Sequence, residues 1–600
     1  MNPEEIYANR IKEYTGAKSK LDARSNLLSN MRLFVFIGGA ILATLAFLYV
    51  STAYGFLVSF IALAAFVILI FRHEAVIKAS KRYGNLIQIN AMCLSRMDGT
   101  WTSFTGDGME YMDTKNPYTS DLDIFGHTSL YQMINCANTW HGKENLRKLL
   151  ENPDKRPEEI RKRQRAISEL AGKIDFCQNL QGEGMNAPKI SENPEEMLGY
   201  FEDKSRLWGT AWLSYVFYIL PLLTLTSIIL CLIDRSVSYL IPFALLIIQS
   251  IINLIGYKTS FTLKNIYAYH RKIQDFENLL TVIENEDFKD KYLSEIKVSF
   301  MHKNKTALKQ MKTLENIVNA VEFGNNFLFY LILNVFLFWN FHCILALESW
   351  KEQSGASLRG WLDSIGKLEA LSSLALLSQI NPGWTIPDIA ENKVSVTANE
   401  MGHPLIVGTK RVSNNFDMED RICIITGSNM SGKSTLLRTI GINLVLAYAG
   451  AAVCANKFQC SVMDIYTSMR LGDDLNSGIS TFYAELLRIK RIINDSKAQK
   501  PMIFLIDEVF RGTNSKDRYT GAKNVLLNLN KHWIIGLIST HDFDLCDLEK
   551  NESGRIVNYH FTEKYSNNEI LFDYKVRSGR CSSTNARYLM KMVGIDLIES

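Results

Sequence analysis

Gly427-Ser428-Asn429-Met430-Ser431-Gly432-Lys433-Ser434-Thr435 has the spacing GxxxxGK[ST]. It follows an apolar run, Arg421 to Thr426, and leads into LLRTIGINLVLAYAG, which reads as a helix. Glycines at these positions let backbone N–H groups converge on phosphate oxygens, and a helix N-terminus adds positive potential. Lys433 is expected to reach the β- and γ-phosphates of a nucleotide, and Ser434 to ligate Mg2+. About seventy residues later, Met502 to Glu508 reads MIFLIDE, an apolar strand ending in two carboxylates. Asp507 is expected beside Mg2+ and its waters, and Glu508 is placed to polarise the attacking water. A further apolar run, IIGLIST, ends at Thr540-His541-Asp542, which brings His541 close to the γ-phosphate. These residues predict a domain that binds and hydrolyses ATP with Mg2+.

The elements around them fit that chemistry. From about Ile386 onward, short β-rich runs such as RICIITG, PMIFLIDE and HWIIGLIST alternate with turns and helical segments. That is the rhythm of a parallel α/β sheet, and residues 386–600 are read as one ATPase domain. Residues 72–205 and 257–385 read as two parts of a helical core. Within them, RKRQRAISEL opens an amphipathic helix whose Arg161, Lys162, Arg163 and Arg165 are read as a solvated face rather than a phosphate-binding patch.

Two pairs of apolar runs interrupt this pattern. Leu33 to Val50 and Ala53 to Phe71 carry no charge, and each is about long enough to cross a bilayer core. Ala211 to Ile233 and Val237 to Ile255 form a second pair, with Pro221 inside it and Asp234-Arg235-Ser236 between its members. Both pairs are read as transmembrane hairpins, spanning 33–71 and 206–256. Arg24, Arg32, Arg72, Lys78, Lys81 and Arg82 flank the first; Lys204, Arg206, Lys258 and Lys264 flank the second. This bias predicts a multi-pass protein of the inner (cytoplasmic) membrane, with every large soluble segment, the N-terminal residues 1–32 included, on the cytoplasmic side. A fifth apolar run, Phe327 to Ala346, contains Asn334, Asn340 and His342 and is read as a buried or interfacial helix. The polar start MNPEEIYANRIKEY is not a signal peptide. Ten scattered cysteines without a CxxC pair argue against zinc and disulfides. A net charge of +4 over 600 residues advertises no bulk affinity for nucleic acid.

Several segments taken together resemble the MutS mismatch-repair ATPase family. TGSNMSGKST is similar to that family's TGPNMGGKST. Asp473 to Glu485, DDLNSGISTFYAE, is similar to its DDLxxGxSTFxxE signature, FLIDEVFRGTNSKD to its MDEIGRGTST block, and STHDFDL to its ATHYFEL block. His403-Pro404-Leu405 and Val412-Ser413-Asn414 resemble the RHP and VPN elements, and Asn558-Tyr559-His560 the NxH element. More weakly, the likeness extends to residues 105–200 and 260–385. It implies a helical core and a C-terminal α/β P-loop domain of the ABC/MutS type in which GISTF stands where ABC ATPases have LSGGQ; with the transmembrane hairpins read from the apolar runs, the fold class is mixed.

The resemblance also implies a homodimer with a composite site. Ser480 would reach the nucleotide of the partner chain, Asn414 would contact the nucleotide, and His560 would stack on adenine. DNA is the partner it implies, in mismatch repair or recombination. The chain departs from the family in having no mismatch-reading N-terminal domain and no Phe-x-Glu wedge. Arg411 stands where an aromatic residue is expected, and Ser428 and Ser431 replace Pro and Gly. A mechanical membrane ATPase acting on a non-DNA partner is the alternative. A transporter is the weakest reading, because the spans carry almost no ionisable residues.

Overall fold

In the computed structural model the described residues are 2–113, 115–203, 211–234, 236–302, 305–324, 333–391, 393–470, 481–510, 514–551, 554–566 and 569–581. Ser480, Lys204, Arg206, Arg235 and most of the C-terminal tail GRCSSTNARYLMKMVGI lie outside them. The chain is mostly helical, with mixed sheets in its C-terminal part.

Two 47-residue helices, α1 (Pro3–Tyr49) and α2 (Thr52–Asp98), form an antiparallel pair, each roughly 70 Å long at 1.5 Å per residue. Asn2 caps the first helix, accepting from the Glu4 N–H, with Pro3 in its first turn. Ser51 caps the second, and Gly99, at φ 90°, ends it. The apolar runs read from the sequence are the far halves of these helices, and the near halves are a polar stalk. Where polar gives way to apolar, His73 takes Ser25 Oγ and Arg32 Nη1, each at 2.9 Å. Lower down, Asn90 and Gln178 exchange two amide hydrogen bonds, at 3.0 and 3.1 Å, and Arg10 pairs with Asp175 at 2.7 Å. Tyr7 is buried with Cys93, Leu376 and Ile380, docking the stalk on the helical body.

The second hairpin comprises Ala211–Ile233 and Leu240–Ile255. Gln249 donates to Thr224 Oγ1 at 2.9 Å, and Asn253 to the Asn334 carbonyl at 2.8 Å. Phe217 stacks on Phe341 at 4.3 Å. The fifth apolar run is interrupted: 333–337 are helical, Phe338 turns left-handed at φ 51°, and Trp339–Trp350 resumes. Phe338 and Phe341 are buried. Among the described residues, three helices are long and apolar enough to cross a membrane: α1, α2 and Tyr215–Ile233.

Helix Ala356–Ile380 is the spine of the helical body, with most of its residues buried. It meets helix Trp140–Glu151 so closely that a Cβ at Gly366 would lie 2.5 Å from the His141 backbone. Its buried Glu369 carboxylate accepts from the Asn138 and Thr139 N–H groups and from the Thr139 hydroxyl, and burial raises its pKa. The spine leads into the sheets. A four-stranded sheet orders as Asp388–Ala390, Lys457–Ser461, Ser395–Met401, Asn414–Glu419. A six-stranded sheet orders as Arg577–Ser578, Ile556–His560, Ile422–Thr426, Ile534–Thr540, Met502–Asp507, Asp464–Ser468, parallel except for the first strand. One apolar core runs from the helical body into this sheet, joining Ile160 and Leu374 to Leu437 and Leu505.

Arg163 departs from the solvated face expected for its helix, Pro157–Ala171. It is buried and donates to the Tyr448 and Ala449 carbonyls at 2.8 and 3.2 Å, capping the C-terminus of helix Lys433–Ala449. Arg161 stays partly exposed and bonds the Ile389 carbonyl at 3.0 Å and Glu391 at 2.6 Å. All ten cysteines are free, and all but Cys136 are buried.

Candidate active site

Strand Ile422–Thr426 is fully buried between two parallel neighbours, so its C-terminal end is fixed on both sides. The chain leaves it at Gly427, passes Met430 at φ 66°, and enters helix Lys433–Ala449 through Gly432 at φ 106°, a conformation that favours glycine. The Lys433 ammonium folds back over the loop and donates to the Gly427 and Ser428 carbonyls at 2.8 and 2.9 Å. Those carbonyls hold the cation where phosphate oxygens would compete for it. Ser434 donates to Asp507 Oδ2 at 2.7 Å, and Ser539 to Asp507 Oδ1.

The adjacent strand, Met502–Asp507, ends with an abrupt change of direction. Glu508 has φ 54° and its N–H bonds the Ser539 carbonyl at 3.1 Å, which turns its side chain into the cleft. There Glu508 Oε1 lies 2.9 Å from His541 Nε2, which is 3.4 Å from Lys433 Nζ. A carboxylate, an imidazole and a buried ammonium thus share one end of the sheet. Asp507 and Glu508 close one strand, His541 follows a second, and Lys433 and Ser434 open the helix into which a third, Ile422–Thr426, leads.

This edge opens into a cavity of about 470 Å3, lined by Asn429, Met430, Ser431, Gly432, Lys433, Ser434, Thr435 and Glu508 on one side. Met401, His403, Ile406, Arg411, Val412, Asn414, Phe561 and Tyr574 line the rest. Asn414 uses both ends of its amide on the opposite wall, donating to the Tyr574 carbonyl at 3.0 Å and accepting from the Val576 N–H at 2.8 Å. It therefore holds Tyr574 against the phosphate loop, where the ring carbon Cδ1 would lie 3.2 Å from a Cβ at Gly432. Ser428 donates to Glu563 at 2.8 Å.

His560 ends its strand bonded to the Gly579 carbonyl at 2.9 Å, and it is the next residue, Phe561, that lines the cavity. The Arg411 guanidinium is committed to the His403 and Ile406 carbonyls and lies 5.3 Å from the centre of the Trp384 ring. His403 is buried, and burial, reinforced by Arg438 and Arg411, pushes its pKa down to about 4, so it faces the cavity as neutral imidazole. Phe561, Tyr574 and Glu563 carried no spacing signal in the sequence. Tyr574 is brought in by a contact 160 residues away.

Among the described residues no group of three or more His, Cys, Asp or Glu forms a metal cage. The donor set fits a hard cation that takes few protein ligands: one hydroxyl, Ser434, bonded directly to one carboxylate, Asp507.

Residues 423–596 match the family model for MutS domain V. These residues carry a domain of the MutS family. The C-terminal part of the chain is 31% identical over 243 residues to the DNA mismatch repair protein MutS of Methanosarcina mazei, covering 39% of this chain and 26% of that protein. It is 32% identical over 239 residues to the protein of the same name from Aquifex pyrophilus, covering 38% and 27%, and 33% identical over 237 residues to that of Persephonella marina, covering 38% and 27%. The chain thus spans about a quarter of the length of these curated MutS relatives. The MutS-family match includes the phosphate loop, Asp507, Glu508, His541 and His560, and leaves both apolar hairpins outside it.

Proposed function

We propose that this chain is a membrane-anchored MutS-type ATPase that binds and hydrolyses ATP with Mg2+ at a composite site between two protomers. Its work is on DNA, in mismatch repair or a recombination-related process. The convergence of Lys433, Ser434 and Glu508 on one cavity, with Asp507 bonded to Ser434 and His541 in contact with Glu508 and Lys433, carries the reading.

In this reading the loop from Gly427 to Thr435 cradles the phosphates. Lys433 moves from the Gly427 and Ser428 carbonyls onto the β- and γ-phosphates. Mg2+, held by Ser434 with Asp507 behind it, supplies charge neutralisation at the phosphates. Glu508 takes the proton of the attacking water while His541 fixes its carboxylate. Phe561 and Tyr574 offer flat faces for the base, with Asn414 setting the Tyr574 wall; His560 supports Phe561 from the strand end. Ser480 supplies the γ-phosphate contact in trans.

The P-loop domain boundary at 386, the helical core in two parts, 72–205 and 257–385, and the hairpins at 33–71 and 206–256 belong to the same proposal. Both hairpins sit in the cytoplasmic membrane with the soluble segments on the cytoplasmic side. The exposed apolar surface of α1, α2 and Tyr215–Ile233 supports a lipid partner.

The alternative, a mechanical membrane ATPase on a non-DNA partner, draws support from the balanced net charge of +4 and the long stalk. Binding of duplex, mismatched and branched DNA to the full-length detergent-solubilised protein separates the two. Affinity that falls steeply with salt, with DNA-stimulated ATP turnover, supports DNA as partner. No salt-dependent binding to any of the three favours the alternative.

The shared site has its own test. Lys433→Ala and Ser480→Ala chains, each poor alone, form on mixing a heterodimer with one doubly mutated and one intact site. Restored hydrolysis supports a site completed in trans. Proven pairing without restored hydrolysis means that the sites act only in concert or that Ser480 works in cis, and the absence of a crosslink from position 480 to the partner's phosphate loop then contradicts the shared site.

A further inference from the structure

Beside contacts such as that of Arg163, the helical body touches the nucleotide domain through three consecutive side chains, Asp121-Leu122-Asp123. Asp121 is buried, and its carboxylate accepts from Thr467 Oγ1 at 2.7 Å, from the Met469 and Arg470 N–H groups at 3.1 Å each, and from Arg488 at 3.1 Å. It therefore gathers the end of the edge strand Asp464–Ser468 and the helix Thr481–Asp495 onto one anion. Leu122, also buried, fills a notch on the phosphate-loop helix: a Cβ at Gly441 would lie 2.6 Å from its Cδ2. Asp123, held at φ 53°, takes Arg470 in a two-pronged pair at 2.6 and 3.1 Å and takes Arg438 at 3.3 Å.

Arg438 is the key to the arrangement. It lies four residues after Ser434 on the same helix, about 6 Å further along the axis. Ser434 bonds Asp507 at one end of that interval, and Arg438 bonds the helical body at the other. Its guanidinium is partly desolvated and has Arg470 beside it, both of which disfavour its charge; Asp123 opposes them. Two arginines share one carboxylate, with the shorter bonds to Arg470. A small displacement of the phosphate-loop helix would change how that carboxylate is divided, and Leu122 in its notch would carry the displacement into the body.

We propose that Asp123, with Asp121 and Leu122, is a positioning element that ties the phosphate-loop helix to the Arg470 end of the edge strand, so that hydrolysis and movement of the helical body depend on each other. Asp123 touches neither phosphate nor water in this scheme; it acts through Arg438 and Arg470. The inference rests on the ATPase reading above.

The test uses full-length protein in detergent or nanodiscs, with ATP turnover, affinity for a fluorescent ATP analogue and the thermal midpoint measured on the same samples. Asp123→Asn keeps the shape and one acceptor while removing the charge. It is expected to lower kcat about 10-fold, within the range of coupling mutations, with nucleotide affinity and KM changed less than about 2-fold and the thermal midpoint held. Arg438→Gln in the Asp123→Asn background should add little, because both act through one contact, and Asp123→Glu should recover part of the rate. An unchanged kcat in Asp123→Asn overturns the proposal, as does a kcat that falls in step with affinity and thermal midpoint, which marks a mere structural staple. A wild-type protein that does not hydrolyse ATP overturns the ATPase reading itself, and this inference with it.

Discussion

The phosphate-loop edge of the sheet and the far half of the α1–α2 hairpin invert the ordinary partition of a folded protein in opposite senses. At the sheet edge, polar groups are drawn inward: Lys433, Ser431 and Asp507 are buried, and Lys433 and Asp507 are bonded to carbonyls and hydroxyls of the loop and its neighbouring strands. At the hairpin, large apolar side chains face outward; Phe34 is 78% exposed, Phe60 71% and Leu48 70%. Each arrangement is costly in water alone. Buried polar groups around a cavity suit a polyanion and its cation, whereas an apolar cylinder of this length suits lipid. The second hairpin lies between these extremes, apolar outside but with Thr224, Gln249, Asn253 and Asn334 joined by hydrogen bonds within. It is packed into the body through Phe217 and Phe341, whereas the first hairpin stands on a stalk.

This contrast can be broken most forcefully at Lys433. Lys433→Ala removes the buried cation and should weaken nucleotide binding by about 100-fold, as loss of a charge-assisted hydrogen-bond donor implies; equilibrium binding of a fluorescent ATP analogue measures it.

At the hairpin, Phe60→Arg alters a side chain that is already exposed. In water it should be nearly neutral. In a bilayer centre it costs roughly 2.5–3.5 kcal/mol and should shift the protein out of the membrane fraction or impair its insertion. Unchanged fractionation would deny the hairpin a lipid environment. Reporter fusions at Lys20, Lys264 and Ser600 should all read cytoplasmic and one near Arg235 external; an external reading at Ser600 would reverse the orientation.

Within the cavity, Phe561→Ala should weaken ATP binding about 10-fold, as loss of one aromatic face under a base implies, while His560→Ala should do less. Equal losses at both would return the stacking role to His560.

A further effect concerns pH. Burial holds His403 at about 4, below the ordinary histidine value near 6.5, so the folded state resists its protonation. Stability should therefore fall as pH drops from about 6.5 towards 4, by up to about 3 kcal/mol from this group, and His403→Gln should flatten that part of the denaturation profile.

Much of this was legible from the residues alone. The phosphate loop, Asp507, Glu508 and His541 sit at fixed offsets from strand ends, and a parallel sheet gathers strand ends at one edge, so reading the strands was enough to bring them together. The aromatic wall was not legible. Phe561 and Tyr574 reach the cavity through pairings such as Asn414 with Tyr574, 160 residues apart, and no local periodicity records such a pairing. Arg163 failed for a related reason: a basic run on an amphipathic helix looks the same whether its arginines meet water or the carbonyls of a helix 285 residues away. For the stalk, apolar composition marks only residues 33–71, while both helices continue past those limits, where stability comes from polar pairs such as Asn90 with Gln178.

The most direct measurement is ATP turnover by full-length Glu508→Gln beside wild type, with nucleotide affinity determined on the same preparations. If Glu508 is the base that His541 orients, the amide should bind ATP within about 2-fold of wild type and hydrolyse it about 100-fold or more slowly. Hydrolysis by Glu508→Gln at the wild-type rate would show that the carboxylate at this strand end is not the catalytic group and would contradict the assignment of the site.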